Sequence, residues 1–143
     1  QNYRTEEAAN HTNDLPSWKD FARRAFLHKN QLIKLLQPYR EARKLVIGWG
    51  ASARSSTMLN FCGIDSKTIP VIADSTPLKH GLYTAGSHIV IETWERVMAK
   101  NPDVIFILAW NFADEIINIL KNKFGFKGEC IIPLPREPRV VTI

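Results

Sequence analysis

An α/β fold in three layers is predicted, with a five-stranded, mostly parallel sheet between helices and an extra N-terminal helix. Two observations predict it. Short apolar runs suited to strands buried on both faces alternate with helical segments, an order that implies parallel strands with helices on either side. The first run, Leu45-Val-Ile47, leads directly into a glycine turn that opens a helix. With 143 residues and 45% apolar composition, the chain is sized for one domain with its own core.

Residues 1–13 are polar and predict a flexible leader. They include Glu6 and Glu7 and lack the pattern of a signal peptide. The first residue is Gln rather than Met, as expected of a processed, trimmed or excised chain. A connector helix over 14–40 begins near Pro16, with Ser17 and Asp20 spaced as a capping-box variant. Trp18, Phe21, Ala22 and Ala25 share one face, continued by Leu32, Leu35, Leu36 and Tyr39. The stripe weakens over His28–Asn30, where a bend fits, and Pro38 is expected to end the regular helix.

Residues 41–143 carry the sheet. The first strand is Lys44–Ile47, followed by a helix over Ser52–Phe61 that Gly63 caps. A second strand, Ile69–Ala73, ends at Asp74. Pro77, Gly81 and Gly86 then mark a long loop from Ser75 to Ser87. His88–Ile91 is the third strand and Glu92–Lys100 a short helix. Val104–Ala109 is the fourth and most apolar strand, and Asn111–Phe124 a helix capped by Asn111. Cys130–Leu134 is the fifth strand, and a proline-rich tail follows.

Gly48, Gly50 and Ala53 fit G-x-G-x-x-G/A, a turn that brings backbone N–H groups against a phosphate. The bland alternative is a simple tight turn, with Arg54 paired to a surface acid. In a sheet of order 3-2-1-4-5 the ligand crevice lies between the first and fourth strands. It brings Gly48–Arg54 to face Trp110-Asn111-Phe112. The two helix starts there differ in charge. Asp114 and Glu115 already complement the helix that follows Asn111, whereas Ser52 to Thr57 contain no acid. An anion is therefore expected at Ser52 and Arg54. Asp74 lies near the offset of about 20 residues at which an acid binds a ribose, or else it caps the loop. Lys79 is a candidate phosphate ligand. Trp110 is either a core aromatic or a stacking surface for a base or ring. His80 and His88 have no carboxylate at a fixed spacing, and no catalytic residue is assigned.

The net charge of +5 is spread along the chain and broken by acids, unlike a nucleic-acid-binding surface. No apolar run is long enough to cross a membrane. Cys62 and Cys130 lie far apart, so neither a metal site nor a disulfide is expected. Buried free thiols in a reducing cytoplasm account for them.

The ordered motifs resemble the C-terminal domain of the sugar C-methyltransferases. They are Gly48-Trp-Gly-Ala-Ser-Ala-Arg54, Leu59-Asn-Phe-Cys-Gly-Ile-Asp65, Asp74-Ser-Thr-Pro-Leu-Lys-His-Gly81 and Gly86-Ser-His-Ile89. Leu108-Ala-Trp-Asn-Phe-Ala-Asp-Glu-Ile116 and Ile132-Pro-Leu-Pro135 complete the series. The resemblance covers about residues 40–140 and departs at Ser55, where many relatives carry Gly. It implies a Rossmann-like domain placed after a zinc-binding region and a central S-adenosylmethionine-binding domain, so both cofactors belong outside this chain. It also implies a nucleotide-linked deoxysugar of dTDP type as the ligand. Gly48, Gly50, Ser52, Arg54, Asp74, Lys79, Trp110 and Asn111 would then be substrate-binding, and the upstream domain would supply the acid–base chemistry. Two other readings stand beside it: an NAD-type oxidoreductase domain using the glycine turn and Asp74, and a degenerate domain serving packing or homodimerisation.

Overall fold

The computed structural model describes residues 2–143; Gln1, the first residue of the expected leader, lies outside them. Where a flexible leader is predicted, helix α1 spans Asn2–Ala9, and none of its residues is buried. Helix α2 spans Leu15–Glu41. Its start corrects the expected cap. Asp14 is the N-cap, its carboxylate accepting the Ser17 N–H at 2.8 Å. Pro16 then falls in the first turn, where a missing N–H does no harm. Asp20, the other half of the expected box, instead pairs with Arg23 and Arg24 at 2.7 and 2.9 Å.

α2 stays one helix across His28–Asn30 and also continues through Pro38. Proline removes a single N–H, and the last turn is tied again by Ala42 N–H to Pro38 O and Lys44 N–H to Tyr39 O, both 2.9 Å. Leu32 and Leu36, in the second half of α2, are buried in the core. Each contributes roughly 1.5–3 kcal/mol by leaving water.

Strands β1 (Val46–Trp49), β2 (Val71–Ala73), β3 (Val90–Glu92), β4 (Val104–Ile107) and β5 (Glu129–Ile132) lie close to their predicted spans. A sixth, β6 (Arg139–Thr142), corrects the five-strand count. It pairs antiparallel with β5 where a proline-rich tail is predicted. The order is β3-β2-β1-β4-β5-β6, the expected order plus one edge strand. Helices α3 (Ala53–Cys62), α4 (Trp94–Met98) and α5 (Ala113–Phe124) complete the chain.

Side-chain alternation along the strands divides the core into two layers. Val46, Val104, Phe106 and Leu108 face α2 and α3, with Leu59 and Ile72. Ile47, Trp49, Ile105 and Ile107 face α4 and α5, with Val97 and Leu120. The long loop after β2 is more ordered than predicted. It forms a 3₁₀ turn over Pro77–Lys79 and folds back on β3 through Gly81 N–H to Ile91 O (2.8 Å) and Ile91 N–H to Leu82 O (2.9 Å). Among the described residues, no helix is long and apolar enough to cross a membrane.

Candidate functional site

The β1–α3 turn depends on its second glycine. Gly50 has φ +94°, a conformation that L side chains rarely adopt, and its N–H donates to Ala73 O at 2.8 Å. A Cβ there would stand 2.6 Å from Ala109 Cβ, in the loop after β4. The turn and that loop therefore touch backbone to backbone. Gly48 has another role. It sits inside β1 and faces Ile72 and Leu108, whose side chains would meet an added Cβ at 2.7 and 2.8 Å. It is a packing glycine, beneath the turn rather than on its surface.

Asp74 braces this turn from below. One carboxylate oxygen accepts the Ala51 N–H at 2.7 Å and the other the Thr76 N–H at 2.9 Å. The Lys79 ammonium lies 3.3 Å from the carboxylate and donates to Ala51 O at 2.7 Å. Burial by itself raises the Asp74 pKa. The bonds from Thr76 and Ala51 and the Lys79 charge outweigh it and hold the carboxyl below its ordinary value. Both residues are thus spent within the protein: Asp74 caps the loop, and Lys79 closes it onto the turn. His80 joins them, its Nε2 2.9 Å from Asp74 O. His88 stacks flat on Tyr83 with ring centroids 4.4 Å apart.

The start of α3 is closed by a reciprocal capping box. The Ser55 N–H donates to Ser52 Oγ at 3.2 Å, and the Ser52 N–H to Ser55 Oγ at 2.7 Å. Ser55 is fully buried in this pair, so its side chain neither crowds the crevice nor adds a donor to it. With the Ala51, Ser52 and Ser55 donors engaged, the first two helical N–H groups, of Ala53 and Arg54, are left without an intrahelical partner. Arg54 is exposed and makes no ion pair among the described residues. Gly63 ends α3 with φ 70°, as predicted.

Across the crevice the chain departs from expectation. Trp110–Phe112 form a 3₁₀ turn that delays α5 to Ala113. Phe112 is its N-cap and no side chain caps it, so Asn111 does not have that role. Asp114 and Glu115 still occupy the first turn of α5. Trp110 is half-buried and packs against both core layers, as the core reading has it.

The crevice opens as two hollows that share Ala109 and Phe112 in their walls. The smaller, about 50 Å³, is lined by Ser52, Arg54 and Leu108–Phe112. It gathers four of the predicted residues: Ser52, Arg54, Trp110 and Asn111. The larger, about 330 Å³, lies on the α4/α5 side between Trp49, Gly50, Asp74, Thr76, Trp94, Phe112 and Glu115. Trp94 leans on Trp49 there, ring centroids 5.3 Å apart. The predicted residues therefore do not form one site. Gly50 and Asp74 border the second hollow, Gly48 lies buried, and Lys79 is tied to Asp74. Ser75, Thr76, Trp94 and Glu115 are additional lining residues. The signal for them was the crevice rule itself, applied to the ends of β2 and β3 as well as β1 and β4.

The two hollows differ in electrostatics. Ser52 and Arg54, at the acid-free start of α3, line the first. Ser75, Thr76, Glu115, Trp49 and Trp94 line the second, where the Asp74 carboxylate is already held by Ala51, Thr76 and Lys79. The first suits an anion and the second a neutral hydroxyl-bearing ring. Among the described residues, no group of three or more His, Cys, Asp or Glu side chains is spaced to hold a metal.

The family model for the C-methyltransferase C-terminal domain matches residues 1–135. Over 125 residues the chain is 34% identical to the C-methyltransferase NovU of Streptomyces niveus. That similarity covers 87% of this chain and 30% of the relative, so the chain spans about a third of that relative's length. With its sheet, glycine turn and family match in agreement, this chain belongs to the family of C-methyltransferase C-terminal domains.

Proposed function

We propose that this Rossmann-like domain is the substrate-side part of an S-adenosylmethionine-dependent sugar C-methyltransferase of the cytoplasm. It helps to hold a nucleotide-linked deoxysugar of dTDP type and is not catalytic alone. One observation carries this reading. At the topological switch point, α3 opens with two N–H groups that have no intrahelical partner and an exposed Arg54 that makes no ion pair among the described residues, while α5 is already complemented by Asp114 and Glu115.

The chain's own residues do not fit the family's cofactors. Cys62 and Cys130 are buried in opposite core layers and cannot share a zinc ion. Asp74, the acid placed to meet a ribose, is engaged by Ala51, Thr76 and Lys79. The same engagement weighs against the NAD-type reading. Zinc, S-adenosylmethionine and the acid–base groups for methyl transfer to a carbanion-like sugar carbon therefore belong to the upstream domain.

Arg54 would grip a phosphate by two parallel N–H donations, alongside the Ala53 and Arg54 N–H groups and the Ser52 hydroxyl. The hollow beside it, about 50 Å³, is far below the 300–1,000 Å³ of an enclosing ligand pocket. It can seat an edge of the ligand only, and Trp110 and Asn111 would border the sugar or base. A second surface, that of the upstream domain, must close the site.

Isothermal calorimetry tests this with dTDP, a dTDP-sugar, NAD and S-adenosylmethionine. The dTDP ligands should bind, and Arg54→Ala should weaken them about 10- to 100-fold, the loss of a charged hydrogen bond worth about 1.5–3 kcal/mol. NAD binding without dTDP binding would overturn the proposal. Full affinity in Arg54→Ala would remove Arg54 from the site.

A further inference from the structure

The apolar stripe of α2 runs past the domain on which it packs. Leu32 and Leu36 on this face are 0% and 2% exposed. Stepping back by sevens and fours along the same face gives Ala25, then Phe21 and Trp18. Here the cover stops: Trp18 is 55% and Phe21 56% exposed. They are nevertheless fixed. The two rings meet edge to face at 6.2 Å, and the Trp18 indole N–H donates to Asn13 Oδ1 at 3.2 Å. Along the half-helix from Leu15 to Leu27, about 20 Å long, Phe26 meets Phe61 of α3 with ring centroids 5.5 Å apart, whereas Trp18 and Phe21 keep more than half of their surface open. α1, the preceding helix, buries none of its own residues.

We propose that this face is covered by the segment preceding this domain in the full-length methyltransferase. The inference rests on the reading above that the domain works within a larger enzyme. Two observations select this occupant over a second copy of the chain. The family is a C-terminal domain, and the matched part makes up only 30% of the relative, most of which lies outside it. Area is the second. Two aromatic side chains that are little more than half exposed still offer about 170–280 Å², short of the roughly 800 Å² per partner of a stable interface between free proteins. A tethered partner needs far less, because the link holds it at an effective concentration in the millimolar range. Trp18 and Phe21 are then the anchors, with Lys19 at their rim favouring an acidic border on the covering surface, while Arg24 is already paired with Asp20 at 2.9 Å.

Hydroxyl-radical footprinting of the unmodified proteins tests this without any ligand, so its outcome is separate from that of the calorimetry. The 143-residue chain and the full-length gene product are compared over a range of concentrations. Modification of Trp18 and Phe21 should fall about fivefold in the full-length protein, from half-exposed to buried, while Leu78, 88% exposed, stays unchanged. Three results would overturn the proposal: equal modification in both proteins, protection of the isolated chain that grows with concentration, or a gene encoding nothing upstream.

Discussion

Replacing Gly50 by alanine probes the contact on which both the fold and the crevice depend. Two effects add. The backbone at φ +94° is strained for any L side chain, at about 1–2 kcal/mol. The new Cβ would also lie 2.6 Å from Ala109 Cβ and 3.3 Å from Ala109 N, well inside the 3.5–4.0 Å of relaxed carbon contact. Such crowding costs about 1–3 kcal/mol. The stiffer unfolded chain returns about 0.4–1 kcal/mol, leaving a net loss of about 1–5 kcal/mol. For a chain of this size each kcal/mol moves Tm by about 3 °C, so Gly50→Ala should melt about 3–15 °C lower. Gly63→Ala is the control. Its φ is +70°, but nothing lies within 4 Å of the added Cβ, so only the backbone effect remains, a net loss of up to about 1.6 kcal/mol. Urea denaturation at neutral pH and calorimetric melting measure both. Adding Ala109→Gly to Gly50→Ala should recover the crowding part and leave the backbone part. Equal losses in Gly50→Ala and Gly63→Ala, or no recovery in the double variant, would refute the close contact between turn and loop.

Other outcomes follow from buried titratable groups. Because the folded pKa of Asp74 lies below the ordinary 3.8, its carboxylate stabilises the protein above that pH, and the contribution is lost as pH falls through the depressed value. The stability gap between wild type and Asp74→Asn should therefore be full at neutral pH and shrink below about pH 4, as urea midpoints across the acid range would record; a constant gap would contradict the arrangement. Burial pushes the Cys130 thiol up to about 11 and raises that of Cys62 as well. Neither should react with a thiol reagent in the native protein at pH 8, and both should react on unfolding. Prompt labelling of native Cys130 would place it outside the core.

Local features were legible where the chain carries its own signal. The apolar strands, Gly63 at the end of α3 and the acids opening α5 all follow from patterns within a few residues. β6 was not, since Pro133, Pro135 and Pro138 read as tail and Arg139–Thr142 is an exposed edge strand with meaning only beside β5. Half of the predicted site residues meet at one hollow. Ser52, Arg54, Trp110 and Asn111 converge as the crevice rule predicts. Lys79 and Asp74 resemble ligand residues in sequence, yet in the fold they satisfy one another and the Ala51 peptide.

By itself the sequence determined the α/β class, the order of the first five strands and the place where the chain turns on glycine. Those depend on hydrophobic period and backbone permissiveness, which are properties of short segments. Only the tertiary structure decided that Gly48 packs against Ile72 and Leu108, that Asp74 and Lys79 are held to each other and to Ala51, and that the crevice opens as two hollows. It also decided that the stripe of α2 runs beyond its cover at Trp18 and Phe21. These are contacts, or missing contacts, between segments that only sheet register and helix packing bring together, and no local pattern encodes them.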